Sequence, residues 1–142
     1  MAKLKMVNQF VTYEIALKLR ELGFNEECFG YYKTYLSDNT PELIIIKCNY
    51  NSGKYITIPE EFHVDAPLWQ QAIDWVREKH NLHIKFMIND SYDVNDKTWE
   101  FKIFDIDWGG DRVVHTLYKG KGFKTFNEMR EFAICKSIEL IK

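Results

Sequence analysis

Apolar positions repeat with a period near 3.6 in three places along the chain and with a period near two between them, predicting three helices separated by strands. The first helix follows Thr12, a good N-cap, with Glu14 in the first turn and Ile15, Ala16, Leu19 and Leu22 on one face. Gly23 stops it, placing Phe24 and Leu19 at the two positions that touch in a Schellman cap. In the second helix, Asp65 is the expected N-cap and Pro67 lies in the first turn. Leu68, Trp69, Ala72, Ile73, Trp75 and Val76 form its apolar half, and it runs to about His80. The third opens on Thr125-Phe-Asn-Glu128, a capping box, and its stripe is Phe126, Met129, Ala133 and Leu140 with Ile134, Ile138 and Ile141 beside it.

Alternation predicts strands over Phe29–Leu36, Leu43–Tyr50 and Tyr55–Ile58, the last two joined by a three-residue loop, Asn51-Ser52-Gly53. After the second helix, Leu82, Ile84, Phe86 and Ile88 alternate with His83, Lys85 and Met87. A polar loop over 89–97 leads to a hairpin of Thr98–Trp108 and Asp111–Lys119 around Gly109-Gly110. A two-residue turn there would set Asp107 opposite Arg112, Ile106 opposite Val113, Phe101 opposite Tyr118 and Glu100 opposite Lys119. Such pairs favour that register. It also puts His115 opposite Phe104, on the face away from Asp105. Within the first strand of the hairpin the apolar side changes between Ile103 and Phe104, which calls for a bulge, strong twist or cover on both faces.

The expected architecture is α+β: three helices with antiparallel β-meanders, in the order α-βββ-α-βββ-α, as a single domain over residues 1–142. The length suits one domain. Three scattered cysteines, Cys28, Cys48 and Cys135, with no C-x-x-C pair, argue against a disulfide framework. No apolar stretch reaches the length of a leader or a membrane span. A cytoplasmic protein is expected.

The blocks Thr12-Tyr-Glu-Ile-Ala-Leu-Lys-Leu-Arg-Glu-Leu-Gly-Phe24 and Ala66-Pro-Leu-Trp-Gln-Gln-Ala-Ile-Asp-Trp-Val-Arg-Glu-Lys-His80 resemble a group of small bacterial and prophage-borne proteins. The resemblance implies a bacterial or prophage origin. It carries no activity and no catalytic residue with it.

Motifs for chemistry are sparse. The serines stand in no G-x-S-x-G context, and there is neither a P-loop nor a G-x-G-x-x-G after a strand, so no cofactor is expected. His80 and His83 have no third ligand at motif spacing, and Asp105-Ile-Asp107-Trp-Gly-Gly-Asp111 departs from a calcium loop at its fifth and twelfth positions. No metal site is expected. An enzyme using Asp105 or His115 would need a cleft shared by the two.

Charge is uneven although the chain's net charge is only −2. Residues 89–111 hold seven acids against two bases, whereas 112–130 hold five bases against one acid. The basic part centres on Lys119, Lys121 and Lys124, interleaved with Gly120 and Gly122 before the last helix, a plausible anion or phosphate site. From the second helix onward, the order α-β-β-β-α is similar to that of a double-stranded RNA-binding domain. There the resemblance implies phosphate contacts from a glycine-rich turn and lysines at the last helix start. Thr125-Phe126 stands where that family carries a double lysine.

Aromatic residues make up 15% of the chain, and five tyrosines (Tyr31, Tyr32, Tyr35, Tyr50 and Tyr55) fall on expected strands. Packing accounts for them unless they are exposed together, in which case they mark a partner surface. The leading expectation is a non-catalytic protein–protein interaction module using those tyrosines. The alternative is nucleic-acid or phosphate binding through Lys119, Lys121 and Lys124. No membrane partner is expected.

Overall fold

In the computed structural model, which describes residues 6–53, 61–89 and 97–141, the chain follows the expected α-βββ-α-βββ-α order. The elements are α1 (Tyr13–Glu21), β1 (Tyr31–Tyr35), β2 (Asp38–Ile44), β3 (Glu61–Asp65), α2 (Trp69–His80), β4 (His83–Asn89), β5 (Thr98–Asp107), β6 (Val113–Phe123) and α3 (Phe126–Ile141). The strands form two antiparallel sheets, β2-β1-β3 and β4-β5-β6. The chain divides into two compact units, Met1–Ala72 and Ile73–Lys142, each built around one sheet.

In the first unit, Thr12 caps α1 by accepting from the Ile15 amide at 3.4 Å. The helix ends in the Schellman pattern: Phe24 donates to the Leu19 carbonyl at 2.9 Å, and Gly23 has a positive φ. The strands differ from expectation. The second spans Asp38–Ile44 rather than Leu43–Tyr50, joined to β1 by a two-residue turn that leaves Tyr35 facing Asp38. Pro41, which has no N–H to give, is accommodated because β2 is an edge strand and its pairing with β1 is interrupted there. Asn51-Ser52-Gly53 is no hairpin loop: Tyr50–Ser52 form a 3-10 turn closed by Gly53. The expected strand at Tyr55–Ile58 lies outside the described residues.

Asp65 explains that turn. It is fully buried and is not the N-cap of α2, which begins at Trp69. Its carboxylate accepts from the Tyr50 amide at 2.9 Å and the Asn51 amide at 3.0 Å, while the Cys48 thiol lies 3.4 Å away. Asn51 returns the contact, its side-chain oxygen accepting from the Asp65 amide at 3.2 Å. A buried carboxylate is tolerable because its lone pairs are met by amides. The start of α2 is held instead by backbone: Trp69 donates to the Gln9 carbonyl at 2.9 Å, and Phe10 bridges Leu68.

In the second unit, α2 ends at Asn81, whose left-handed backbone (φ 55°) permits a bond from Leu82 back to the Val76 carbonyl. Helix α3 is capped by Thr125, whose hydroxyl oxygen accepts from the Glu128 amide at 3.2 Å. It buries Met129, Ala133, Ile134, Ser137 and Ile138, whereas Leu140 is exposed.

The hairpin register is corrected. Asp107 faces Val113, Ile106 faces Val114, Asp105 faces His115 and Phe104 faces Thr116, so the loop is longer than two residues. The Asp107 carboxylate takes the Gly109 amide at 2.9 Å inside that loop. A bulge beyond Thr116 then aligns Ile103 with Tyr118, Lys102 with Lys119 and Phe101 with Gly120. It falls where the apolar side of β5 changes, and Ile103 and Ile106 are both buried. Gly120 pins this register, since a Cβ there would overlap the Phe101 ring.

Candidate functional site

The two faces of β4-β5-β6 are treated differently. One carries Phe86, Trp99, Phe101, Tyr118 and Phe123 beneath α3. Phe126 packs edge-on to Phe86 and Trp99 at 5.3 and 5.2 Å between ring centres, and Phe132 lies 5.3 Å from Phe123 and 6.0 Å from Phe101. Helix cover makes this the core face.

Alternation puts the intervening residues on the other face. In register across the three strands stand Lys85, Lys102 and Lys119 in one row, and His83, Phe104 and Thr116 in the next. Met87 faces Glu100 on the far side of the lysine row. All are exposed or half-buried, and Lys85, Met87, Glu100, Lys102, Phe104 and Lys119 line a groove of about 670 Å³ to which Lys121 also contributes. Glu100 is the only carboxylate among its described lining residues. None of the four lysines forms an ion pair among the described residues.

Facing like charges raise the free energy of a sheet, by about 0.2–1 kcal/mol per pair. Neighbouring strands lie about 4.8 Å apart, so the whole row falls within one or two screening lengths at physiological salt and its fields add. The row therefore sums to a patch of positive potential on this face.

Next to it, the His83 and Phe104 rings stack nearly parallel, 15° apart with centres separated by 5.3 Å. Lys102 Nζ lies 6.0 Å from the Phe104 ring centre, a long cation–π contact. Burial, with the Arg77 and Arg112 charges, holds His83 below the usual imidazole range, so at neutral pH it offers a neutral ring.

Of the sequence candidates, Lys119 and Lys121 thus meet on one face, joined by Lys85 and Lys102, which sequence reasoning did not select. Lys124 is exposed just before α3 and is not among the groove's lining residues. Alternation already placed Lys85 and Lys102 on polar sides of their strands. Only the register makes them a row.

The tyrosines are not gathered on one exposed surface. Tyr31, Tyr50 and His63 cluster, with Tyr50 and His63 stacked at 4.5 Å and Tyr31 4.7 Å from Tyr50. The Tyr32 hydroxyl donates to the Val11 carbonyl at 2.7 Å, and Tyr35 is exposed beneath Lys33 Nζ. Tyr55 lies outside the described residues. The first unit's exposed apolar surface is elsewhere: Phe29 (60% exposed) and Ile46 (58%) border a groove of about 430 Å³ with Met6, Phe10 and Leu68.

His115 and Asp105, expected on opposite faces, are paired, Nδ1 to Oδ1 at 3.0 Å. They share a shallow depression with Asn81, Asp107 and Trp108. Its described lining holds no serine or cysteine. Cys28 and Cys48 are poor nucleophiles too. Burial, reinforced by the Asp65 charge, pushes both thiols up, Cys48 to about 12. No three His, Cys, Asp or Glu side chains among the described residues converge to hold a metal ion. No helix among them is long and apolar enough to cross a membrane.

Compared with protein-family models, curated proteins and solved structures, the chain matches none.

Proposed function

We propose that this protein binds nucleic acid through the face of its β4-β5-β6 sheet opposite α3. The observation that carries the reading is the row Lys85–Lys102–Lys119, three facing cations without a carboxylate partner among the described residues. A repeating phosphate backbone supplies several anions to such a row at once, and the groove is open enough to admit it. Site formation and function oppose each other here: the row is unfavourable in the free protein and is relieved by the ligand. Phosphate contacts from three or four lysines predict a log–log salt dependence with a slope of about −2 to −4. Titration of a labelled oligonucleotide at several salt concentrations checks this. Lys102→Glu should weaken binding at least about tenfold, since it removes one phosphate contact and adds a repulsive one. Unchanged affinity would remove the proposal.

A protein partner is the second reading, supported by the exposed Phe29 and Ile46 rather than by the tyrosines. Such a partner would place an apolar side chain in that groove. Phe29→Ser would then lower its affinity and leave oligonucleotide binding unchanged.

A further inference from the structure

The groove is lined by lysines along one row and by the Phe104 ring, itself stacked on His83, beside them, and a duplex backbone would have use only for the lysines. From this geometry we infer that the face selects single-stranded nucleic acid, with a base adding to the His83–Phe104 stack while its neighbouring phosphates lie on the lysine row. The inference rests on the nucleic-acid reading above and names its substrate class.

Three features of the face converge on it. Phe104 is half-buried and lines the groove, so part of its ring is reachable. On β4 its facing neighbour is His83, nearly parallel to it; on β6 its facing neighbour is Thr116, exposed and too short to cover an aromatic ring. The stack is thus flanked by a ring on one strand and by a small side chain on the other. Lys102 occupies the next same-face position of Phe104's own strand, with its ammonium 6.0 Å from the ring centre. A base seated by Phe104 therefore has a cation within reach of its phosphate. Aromatic stacking beside a basic track is the arrangement by which single strands are held with little dependence on sequence, because every base has a π-face. In a duplex those faces are already stacked on one another. His83, kept neutral by burial and by Arg77 and Arg112, adds to the stack without adding charge to the row.

The test compares three probes on the full chain: an oligothymidine of about 16 nucleotides, a duplex of the same length, and heparin. The single strand should bind at least about tenfold more tightly than the duplex. Phe104→Leu, which keeps apolar bulk but removes the π-face, should cost about tenfold for the single strand and little for duplex or heparin. Phe104→Trp should retain or improve single-strand affinity. Lys102→Glu should weaken all three probes. Equal affinity for single strand and duplex, or a Phe104→Leu protein that binds the single strand as well as the parent, overturns the single-strand inference while the lysine reading stands. If Lys102→Glu changes nothing, the lysine reading fails and takes the inference with it. Far-UV circular dichroism of each variant confirms that its fold is kept.

Discussion

The two sheets have the same three-stranded antiparallel form, and each has a lysine in its central strand, yet the surroundings of those lysines are opposite. In β2-β1-β3, Lys33 faces Glu42 on one side and His63 on the other. Its ammonium reaches the Glu61 carboxylate at 3.1 Å, which also meets His63 at 3.2 Å. Contacts to Tyr35 and Glu61 push the Lys33 ammonium to a higher pKa, the sign of a cation held by its neighbours. In β4-β5-β6, Lys102 faces Lys85 and Lys119. One sheet satisfies its charges internally; the other presents them. Strand order and alternation are shared, so the difference lies in which side chains the register brings face to face.

The cores differ as well. The first unit is organised partly by the buried Asp65, the second by rings around Phe101. Asp65→Ala would leave the Tyr50 and Asn51 amides without their acceptor and should destabilise the first unit by about 3 kcal/mol, read by denaturant titration. A loss near zero would mean that the buried carboxylate does not organise that unit. Gly120→Ala tests the corresponding point in the second unit. A Cβ under Phe101 forces the ring or the strand to move, at a cost of about 1–3 kcal/mol. It should also weaken oligonucleotide binding, because the register aligning Lys102 with Lys119 moves with it.

Smaller in size but sharper in sign is a matched pair of neutralisations. Lys33→Gln should lower stability, since it removes the ammonium from Glu61 and leaves His63 as its remaining partner. Lys102→Gln should raise it by about 0.5–1 kcal/mol, since it removes the like charge that faces Lys85 and Lys119 in register. Two changes of the same sign would break the comparison.

The smallest effect is a pH dependence. His83 has a folded pKa below its unfolded one, so the unfolded chain takes up a proton first as pH falls. The contribution of His83 is therefore complete above the ordinary imidazole range and is lost as pH drops through that range toward the folded value. His83→Phe should flatten this part of the stability profile.

Much of the fold was legible. Thr12, Gly23 and Thr125 do in three dimensions what their local chemistry predicts, because caps are set by residues close in sequence. What failed was long-range. Asp38, Asn39 and Pro41 are residue types that favour turns, and an edge position accommodates them in a strand. Asp65 has the chemistry of a cap, but its partners lie at Tyr50 and Asn51.

The hairpin is the most instructive case. Pairing Glu100 with Lys119 satisfied a sound local rule and hid the site, because it cancelled the charge that the true register exposes. The requirement that Phe101 lie against Gly120 outweighs that rule. The same local rule puts His115 on the face away from Asp105, although the two are in contact. Lys119 and Lys121 were visible as a cluster in sequence, whereas Lys85 and Lys102 become their neighbours only through the register of three strands.

On the proposed function, the second sheet keeps its lysine row against its own stability in order to hold a polyanion. The measurement that meets it most directly is Lys102→Glu, examined by denaturant titration and by oligonucleotide binding on the same preparation. Opposite-charge contacts with Lys85 and Lys119 should make the variant more stable than the parent by about 1 kcal/mol, while its affinity falls at least about tenfold. A variant that is no more stable and binds as well as the parent would show that the row neither strains the sheet nor holds a polyanion.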